Sequence, residues 1–436
     1  MAQTLKFGNK VWAAKEDSVL AYNDINNNYK PLPFDFARAS IGTRVNKDGL
    51  IETMGQDIAR IDYTDSADGV LLLEPSSTNL ITYSEDFSQW TTDRVTVSQN
   101  QIVSPNGTLN ADLIAENSEN NIHRIYIGSI TLTDNVDYTI TVFAKKGTSN
   151  AIQLTPTSTS AIGSGRANFD LDNGILGAVS GGTAEIKDYG NGWYRCSYSF
   201  EALATATSAI AVNLINDDLN AVRNVTYLGN INNNVYLWGA QFEALSYPTS
   251  YIPTSGSTVT RAAETCNNSG NSEVFNDSEG VLFLDINYKN IQSTWQGIAI
   301  TNNNSASNRI FIGTALNTKT LEIYFQSGGV VLWQPDFELS KINQFQKIAV
   351  KYKANDLALF VNGFEVATDN SVTTMPIGLS LLGFFGFLTS EPQYGCTKEI
   401  GYYDTALTDA ELETLTSYRN WVSMVNELNL NIIYNG

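Results

Sequence analysis

Residues 235–264 read VYLWGAQFEALSYPTSYIPTSGSTVTRAAE, and they divide the chain. The first part alternates. Tyr236, Trp238, Ala240 and Phe242 are expected on one face of a strand, because successive β side chains point to opposite faces. Val235, Leu237 and Gly239 on the other face are also apolar, which predicts a strand buried on both sides. Pro248 and Pro253 follow among Thr, Ser and Gly. Proline carries no N–H for a ladder, so regular pairing is expected to stop there. A second short alternating piece, Thr258 to Arg261, comes next. The whole predicts the closing strand of one β-sandwich and the hinge into another.

The segment before it, 86–262, carries the signs of a sandwich. Asp137 to Ala144 alternates, with Tyr138, Ile140 and Val142 on one face. Asn173-Gly174 predicts a type I′ hairpin turn, since both residues tolerate positive φ. Asn191-Gly192 precedes Tyr194, Cys196, Tyr198 and Phe200 on one face and Arg195, Ser197 and Ser199 on the other, the pattern of a half-buried strand. The segment after it, 263–420, repeats the logic. Gly280 to Ile286, Ile310 to Ile312, Thr320 to Phe325 and Val330 to Trp333 read as strands, and Asn362-Gly363 separates Leu357–Val361 from Phe364-Glu365-Val366. Thr408-Asp409-Ala410-Glu411 is a capping box, which predicts a short helix laying Leu412 and Leu415 on a sheet. The fold class is therefore all-β: two tandem β-sandwich, or jelly-roll, domains preceded by a small N-terminal region. No long heptad pattern appears, so sheets and loops rather than a coiled coil would hold any oligomer.

Composition narrows function. The 436 residues are 42% hydrophobic and only 16% charged, enough for about three folded domains. Lys and Arg number 26 against 45 Asp and Glu, a net charge of −19. Nucleic-acid binding depends on neutralising phosphates with cations, so no nucleic-acid partner is expected. The three cysteines, Cys196, Cys266 and Cys396, are widely spaced and fit no disulfide framework or zinc pattern. Small buried apolar residues are the expected reading. The single histidine, His123, removes catalytic triads and HExxH chemistry. Its polar neighbours predict a surface position. MAQTLKFGNK has no apolar signal core, so synthesis in the cytoplasm is expected. The most apolar run, Ile377 to Leu388, is glycine-interrupted and too short to span a bilayer, so no membrane partner is expected.

The remaining parts are smaller. Residues 1–33 read as an attachment arm with a short strand at Val19 to Tyr22. Asn23-Asp24-Ile25-Asn26-Asn27-Asn28 has Asp and Asn at alternating positions like part of a calcium loop but lacks the closing bidentate Glu. No cofactor is therefore expected, with calcium left open. Residues 34–85 read as short strands, with a turn at Lys47-Asp48-Gly49, packed on the first sandwich. Residues 421–436, with alternating Leu428, Leu430 and Ile432, read as a tail used in oligomer contact.

A set of words then resembles phage fibre and spike proteins. They are Phe34-Asp35-Phe36-Ala37-Arg38-Ala39-Ser40, Thr43-Arg44-Val45-Asn46, Arg60-Ile61-Asp62-Tyr63, Leu71-Leu72-Leu73-Glu74-Pro75, Thr78-Asn79-Leu80 and Tyr83-Ser84-Glu85-Asp86-Phe87-Ser88-Gln89-Trp90. They continue in Gly190-Asn191-Gly192-Trp193-Tyr194-Arg195, Trp238-Gly239-Ala240-Gln241 and Thr249-Ser250-Tyr251-Ile252-Pro253-Thr254. Ala59 departs from the pattern, which more often has Pro there. Leu5-Lys6-Phe7-Gly8 and Leu20-Ala21-Tyr22-Asn23-Asp24 are similar to the start of virion-attached proteins of Bacteroidetes phages, including the crAss-like group. The words LALFVNGFEVA and YDTALTDAELETL resemble concanavalin A-like or laminin-G-like domains. The first sandwich resembles modules named carbohydrate-binding-like, a name given by fold analogy.

The resemblance implies a virion protein made in the host cytoplasm and carried on the particle surface. It would form a short fibre on the capsid (a head fibre) or, as the alternative, a tail fibre acting as a receptor-binding adhesin. It implies docking on capsid or other virion proteins through the N-terminal region, with host-surface glycans as further partners. A homo-oligomer, trimer or dimer, is expected because arms and exposed strand edges are otherwise liabilities. A polysaccharide depolymerase is the third reading. Glycoside hydrolysis uses two carboxyl groups about 5–10 Å apart. The lectin-like glucanases carry them as E-x-D-x-x-E, and that word is missing here. Asp336-Phe337-Glu338 is the nearest approach, and Glu322 stands alone in its strand. No enzyme is therefore expected. Sugar binding needs aromatic faces beside amide or acid side chains. Trp295 with Gln296, Trp333 with Gln334, and Tyr324 are the candidates; Trp193 and Trp238 read as structural.

Overall fold

The computed structural model describes residues 3–23, 28–290, 294–385 and 392–428. The chain folds into two compact units, and neither is continuous in sequence. One contains residues 1–41, 54–75 and 263–436; the other contains 42–53 and 76–262. The boundaries differ from those read along the sequence. Residues 34–85 do not form one connecting region on the first sandwich, because 34–41 and 54–75 belong with the C-terminal sandwich.

In the C-terminal unit, strands Phe364–Asp369, Leu357–Val361, Gln346–Lys353, Glu279–Asn287 and Gly395–Tyr403 form consecutive antiparallel neighbours. The next strand is Leu5–Gly8. Its register sets Leu5 opposite Tyr402 and Phe7 opposite Ile400. Leu5 and Phe7 are fully buried in the core. Residues 1–33 thus include an interior strand, where an attachment arm or small cap was expected. The reason is the apolar alternation of Leu5 and Phe7, which finds an unpaired sheet edge almost the whole chain length away. The opposing sheet contains Val330–Trp333, Thr320–Ser327, Ser305–Thr314, Gln296–Asn302 and Leu381–Gly383. Leu282, Leu284, Ile348 and Ile400 from the first sheet meet Ile298, Ile300, Ile312 and Ile323 from the second. The hairpin at Asn362-Gly363 forms with Val361 opposite Phe364, both turn residues having positive φ. The helix Asp409–Thr416 starts on the capping box of Thr408 and Glu411 and lays Leu412 on Phe283, Phe360 and Tyr403. Residues Trp421–Glu427 form a helix, so the tail does not begin as an extended arm. Leu430 and Ile432 lie outside the described residues, as does most of the Asn23–Asn28 run.

The second unit is a sandwich of two six-stranded antiparallel sheets. One runs Thr91–Asp93, His123–Leu132, Ala206–Leu214, Ala151–Pro156, Arg166–Asp170, Ile175–Ser180. The other runs Val95–Val103, Leu109–Glu116, Asn234–Glu243, Asp137–Lys146, Trp193–Glu201, Thr183–Asp188. Tyr138, Ile140 and Val142 face the interior as expected, with Cys196, Tyr198 and Phe200. Asn173-Gly174 sits in a hairpin between Asp170 and Ile175, but only Gly174 has positive φ, so the turn is not type I′. Strand Asn234–Glu243 departs from simple alternation. Thr141 pairs with Gln241 and Phe143 with Trp238, so the strand carries one extra residue between them. Gly239, at φ +61°, lies in that interval. A glycine in the left-handed region marks a bulge of this kind and changes the phase of the strand. Val235, Leu237, Ala240 and Phe242 therefore face the core, while Tyr236 and Trp238 lie on the outer face with Phe143 and Tyr251.

The words that carry the phage resemblance fall largely on buried polar clasps. In the second unit Asn79 donates to the carbonyls of Ala240 (3.1 Å) and Ile252 (2.9 Å) and accepts from the N–H groups of Ile81 and Phe242. Gln241 accepts from Ile252 N–H at 2.6 Å, and Arg195 donates to the Thr249 carbonyl at 2.7 Å. Together they fasten the proline-flanked strap 248–253 across the sheet. Proline-interrupted chain cannot supply its own ladder, and buried backbone groups must be paired, so side chains do it. In the other unit, Arg38 and Arg60 close on Glu264, and Arg60 also reaches Glu74 at 2.9 Å.

All three cysteines are buried and free. Burial pushes the Cys196 and Cys266 thiols well up, which leaves them inert. His123 is fully buried, where a surface position was expected. It packs against Tyr227 with ring centroids 4.7 Å apart. Its strand turns it inward despite the polar neighbours.

Candidate functional site

The outer face of the sheet around Tyr324 gathers most of the expected glycan-contacting residues. Registers set Ala299 opposite Phe311 and Phe311 opposite Tyr324, so these three form one row across three strands. A parallel row contains Thr301, Arg309 and Gln326; another contains Gly297, Gly313, Glu322 and Asp336. The glycines are required by what lies over them. A Cβ at Gly297 or Gly313 would come within 2.4 or 2.3 Å of the Phe311 ring. Trp295, just before strand Gln296–Asn302, meets Tyr324 edge-to-face at 5.6 Å and Phe311 at 6.5 Å. Such geometry aligns the positive ring edge with the negative ring face.

Polar groups rim these rings. The Tyr324 hydroxyl donates to Glu322 Oε2 at 3.0 Å and accepts from Gln334 Nε2 at 2.8 Å. Burial and the neighbouring Glu322 carboxylate push the Tyr324 hydroxyl up to about 12, so it stays a donor at neutral pH. The Arg309 guanidinium lies 5.6 Å from the Phe311 ring and 5.5 Å from the Tyr324 ring, and its Nε donates to Gln326. Burial pulls Arg309 down to about 10, still protonated at neutral pH. Tyr324 is only 8% exposed, whereas Trp295 is half-buried and Gln334 exposed. A ligand would therefore reach Trp295 and Gln334 first, with Tyr324 and Phe311 as support.

Two of the five candidates lie elsewhere. Gln296 points into the interior phase opposite Thr314 and is fully buried. Among the described residues its amide has no hydrogen-bond partner. Trp333 belongs to the sandwich core with Phe325 and Leu321. Its register explains the difference. Trp333 pairs with Phe325 while Val331 pairs with Gln326, so an extra residue at Leu332 turns Trp333 inward. Simple alternation would have set it beside Tyr324. Sequence reading also missed Phe311 and Arg309; their signal is the alternation of Arg309, Phe311 and Gly313 against Ile310 and Ile312.

Glu322, read as solitary, stands directly opposite Asp336. Two acids therefore share this face. Asp336 is exposed, and Glu322 is occupied by Tyr324 and Gln334. Among the described residues no three His, Cys, Asp or Glu side chains are placed to hold a metal ion. No described helix is long and apolar enough to cross a membrane.

No family model and no curated protein sequence matches the chain. Solved structures give partial likenesses. The CBM40 of the Ruminococcus gnavus IT-sialidase, bound to alpha2,3 sialyllactose, is 14% identical, with a TM-score of 0.30 over 34% of this chain and 93% of that one. Domain 4 of AbnA, a GH43 extracellular arabinanase from Geobacillus stearothermophilus in complex with arabinotriose, is 13% identical, with a TM-score of 0.28 over 39% and 82%. Trypanosoma rangeli sialidase in complex with the inhibitor DANA is 9% identical, with a TM-score of 0.28 over 93% and 67%. The chain is an all-β protein of sandwich units, and that assignment rests on its own strand pairings.

Proposed function

We propose that this chain is a non-catalytic phage surface protein, a head fibre or else a tail fibre, whose C-terminal unit binds host-surface glycans around Trp295. The virion assignment is supported by the sequence words spread from Phe34 to Thr254. The glycan reading is carried by one observation: half-buried Trp295 stands on Tyr324 with the Gln334 amide within hydrogen-bond distance of the same hydroxyl. An aromatic surface beside fixed hydrogen-bonding groups suits the apolar and hydroxylated sides of a pyranose. The protein works as a homo-oligomer, dimer or trimer. Docking on the particle through residues 1–33 uses the exposed side chains of Val11 and Tyr29, since Leu5–Gly8 is committed to its sheet.

Glycan-array and host-cell binding of the purified protein test the site. Trp295→Ala is expected to weaken binding at least tenfold; unchanged binding removes the site. Imaging of labelled protein on particles tests the location, and absence from particles ends the fibre reading. Host polysaccharide incubated with the protein is expected to keep its length; shortened chains would replace the non-catalytic reading.

A further inference from the structure

The second unit contains a separate cleft of about 430 Å³, within the range that holds small ligands. Its floor is a cross-strand row. Lys145 pairs with Trp193 on one side and with Tyr236 on the other, all on the outer face of the sheet. Leu50, Pro105, Tyr189 and Asn191 complete the walls. Trp193 is anchored by its indole N–H on the Val103 carbonyl at 3.1 Å, while Tyr189 and Tyr236 are half-buried and offer ring surface. The turn Gly190-Asn191-Gly192 runs entirely at positive φ (77°, 53° and 75°). That path carries the Asn191 carbonyl onto Lys145 Nζ at 2.5 Å.

Charge selects the ligand. The chain has a net charge of −19, yet among the described residues Lys145 is the one charged residue lining this cleft, and no described Asp or Glu lines it. An ammonium has three donors, and the Asn191 carbonyl takes one. The others remain for an anion entering the cleft that Lys145 lines. We propose that this cleft binds the carboxylate-bearing terminal pyranose of an acidic glycan, with Lys145 on the carboxylate and Tyr189 and Tyr236 against the ring. The proposal extends the reading of the protein as glycan-binding but uses a different unit from the Trp295 face.

Titration of the full chain with methyl glucuronide, methyl galacturonide and the methyl glycoside of N-acetylneuraminic acid, followed by saturation-transfer NMR, tests it. The three arms separate uronates from sialates. At least one is expected to bind, its methyl ester at least tenfold more weakly, and Lys145→Gln is expected to weaken it by the same factor. Leu50→Trp, which puts a larger side chain into the cleft while leaving Lys145 in the sequence, is expected to abolish it. Trp295→Ala is expected to leave it unchanged, even if that variant loses glycan-array binding. No binding by any acidic sugar, equal binding of the ester, or unchanged binding in Lys145→Gln and Leu50→Trp overturns the proposal. So does loss of the signal in Trp295→Ala alone.

Discussion

Arg60 grips Glu264 through both Nε, at 2.8 Å, and Nη2, and neither side chain touches water. Arg38 adds a second guanidinium at 2.7 Å, and the Glu74 N–H donates to the same carboxylate at 2.9 Å. Removing Glu264 leaves two buried cations without it. Breaking a buried pair from one side typically costs about 3–5 kcal/mol. Glu264→Ala is expected to lose that much stability in urea unfolding of the C-terminal unit.

Gly239 is expected to resist substitution. At φ +61°, a Cβ there would lie 2.9 Å from Phe143 Cδ2. The left-handed backbone costs an L residue about 1–2 kcal/mol before the clash is counted. Gly239→Ala should therefore lower the stability of the second unit by about 2 kcal/mol or more. The check is denaturant unfolding followed by circular dichroism, parent and variant side by side.

These two positions show what the sequence made legible. The strand around Tyr138, the Asn362-Gly363 hairpin and the Thr408 capping box are written in local pattern, and each formed as read; the strand around Tyr198 formed too, but its Arg195 and Ser197, read as a solvent face, are buried under the strap and the neighbouring strand. What failed was phase and distance. Gly239 and Leu332 each shift a strand by one residue, which exchanged the faces of Trp238 and Trp333 relative to simple alternation. A glycine inside a strand is a legible bulge signal; the bulge at Leu332 has none. The pairing of Leu5 with Tyr402 depends on which edge is vacant in the finished sheet, and no local window contains that. At the candidate site the residue types were readable, but the convergence of Trp295, Phe311 and Tyr324 required the registers.

His123 offers a stability test without function attached. It is buried, and among the described residues neither ring nitrogen has a hydrogen-bond partner. A buried polar group left unpaired costs about 1–3 kcal/mol, so an apolar ring of similar shape should be no worse. His123→Phe is expected to hold or raise the melting temperature. A fall of more than a few degrees would show that the imidazole has a role the packing does not reveal.

Acid dependence should split between two glutamates. Burial raises Glu399 above its ordinary value of 4.5, against the opposing pull of Gln3 and nearby cations. The folded state then holds its proton more tightly than the unfolded chain. Its cost is absent at low pH, grows as pH rises through the window above 4.5, and is constant beyond the folded value. Glu399→Gln should raise the melting temperature at pH 7, with the gap closing near pH 4. Glu279 has the opposite sign, lowered first by its bond to Lys353 at 3.0 Å. Its contribution is present above 4.5 and lost as pH falls through the lowered folded value. Glu279→Gln should therefore lose stability at pH 7 and match the parent in acid.

Trp295 and Trp333 should separate binding from stability. Trp333 is a core residue packed against Phe325, and deleting a buried tryptophan costs about 3–5 kcal/mol through lost burial and the cavity left behind. Trp295 is half-buried, and its ring contacts with Tyr324 and Phe311 are worth about 0.5–1.5 kcal/mol beyond area. Trp333→Ala is thus expected to unfold at markedly lower urea while its folded fraction still binds glycan normally. Trp295→Ala is expected to unfold near the parent midpoint and to lose binding. Glycan binding and urea midpoints measured on the same preparations decide it. If Trp333→Ala lost affinity while fully folded, the inward turn at Leu332 would not describe the bound state, and the outer-face site would need to include that ring.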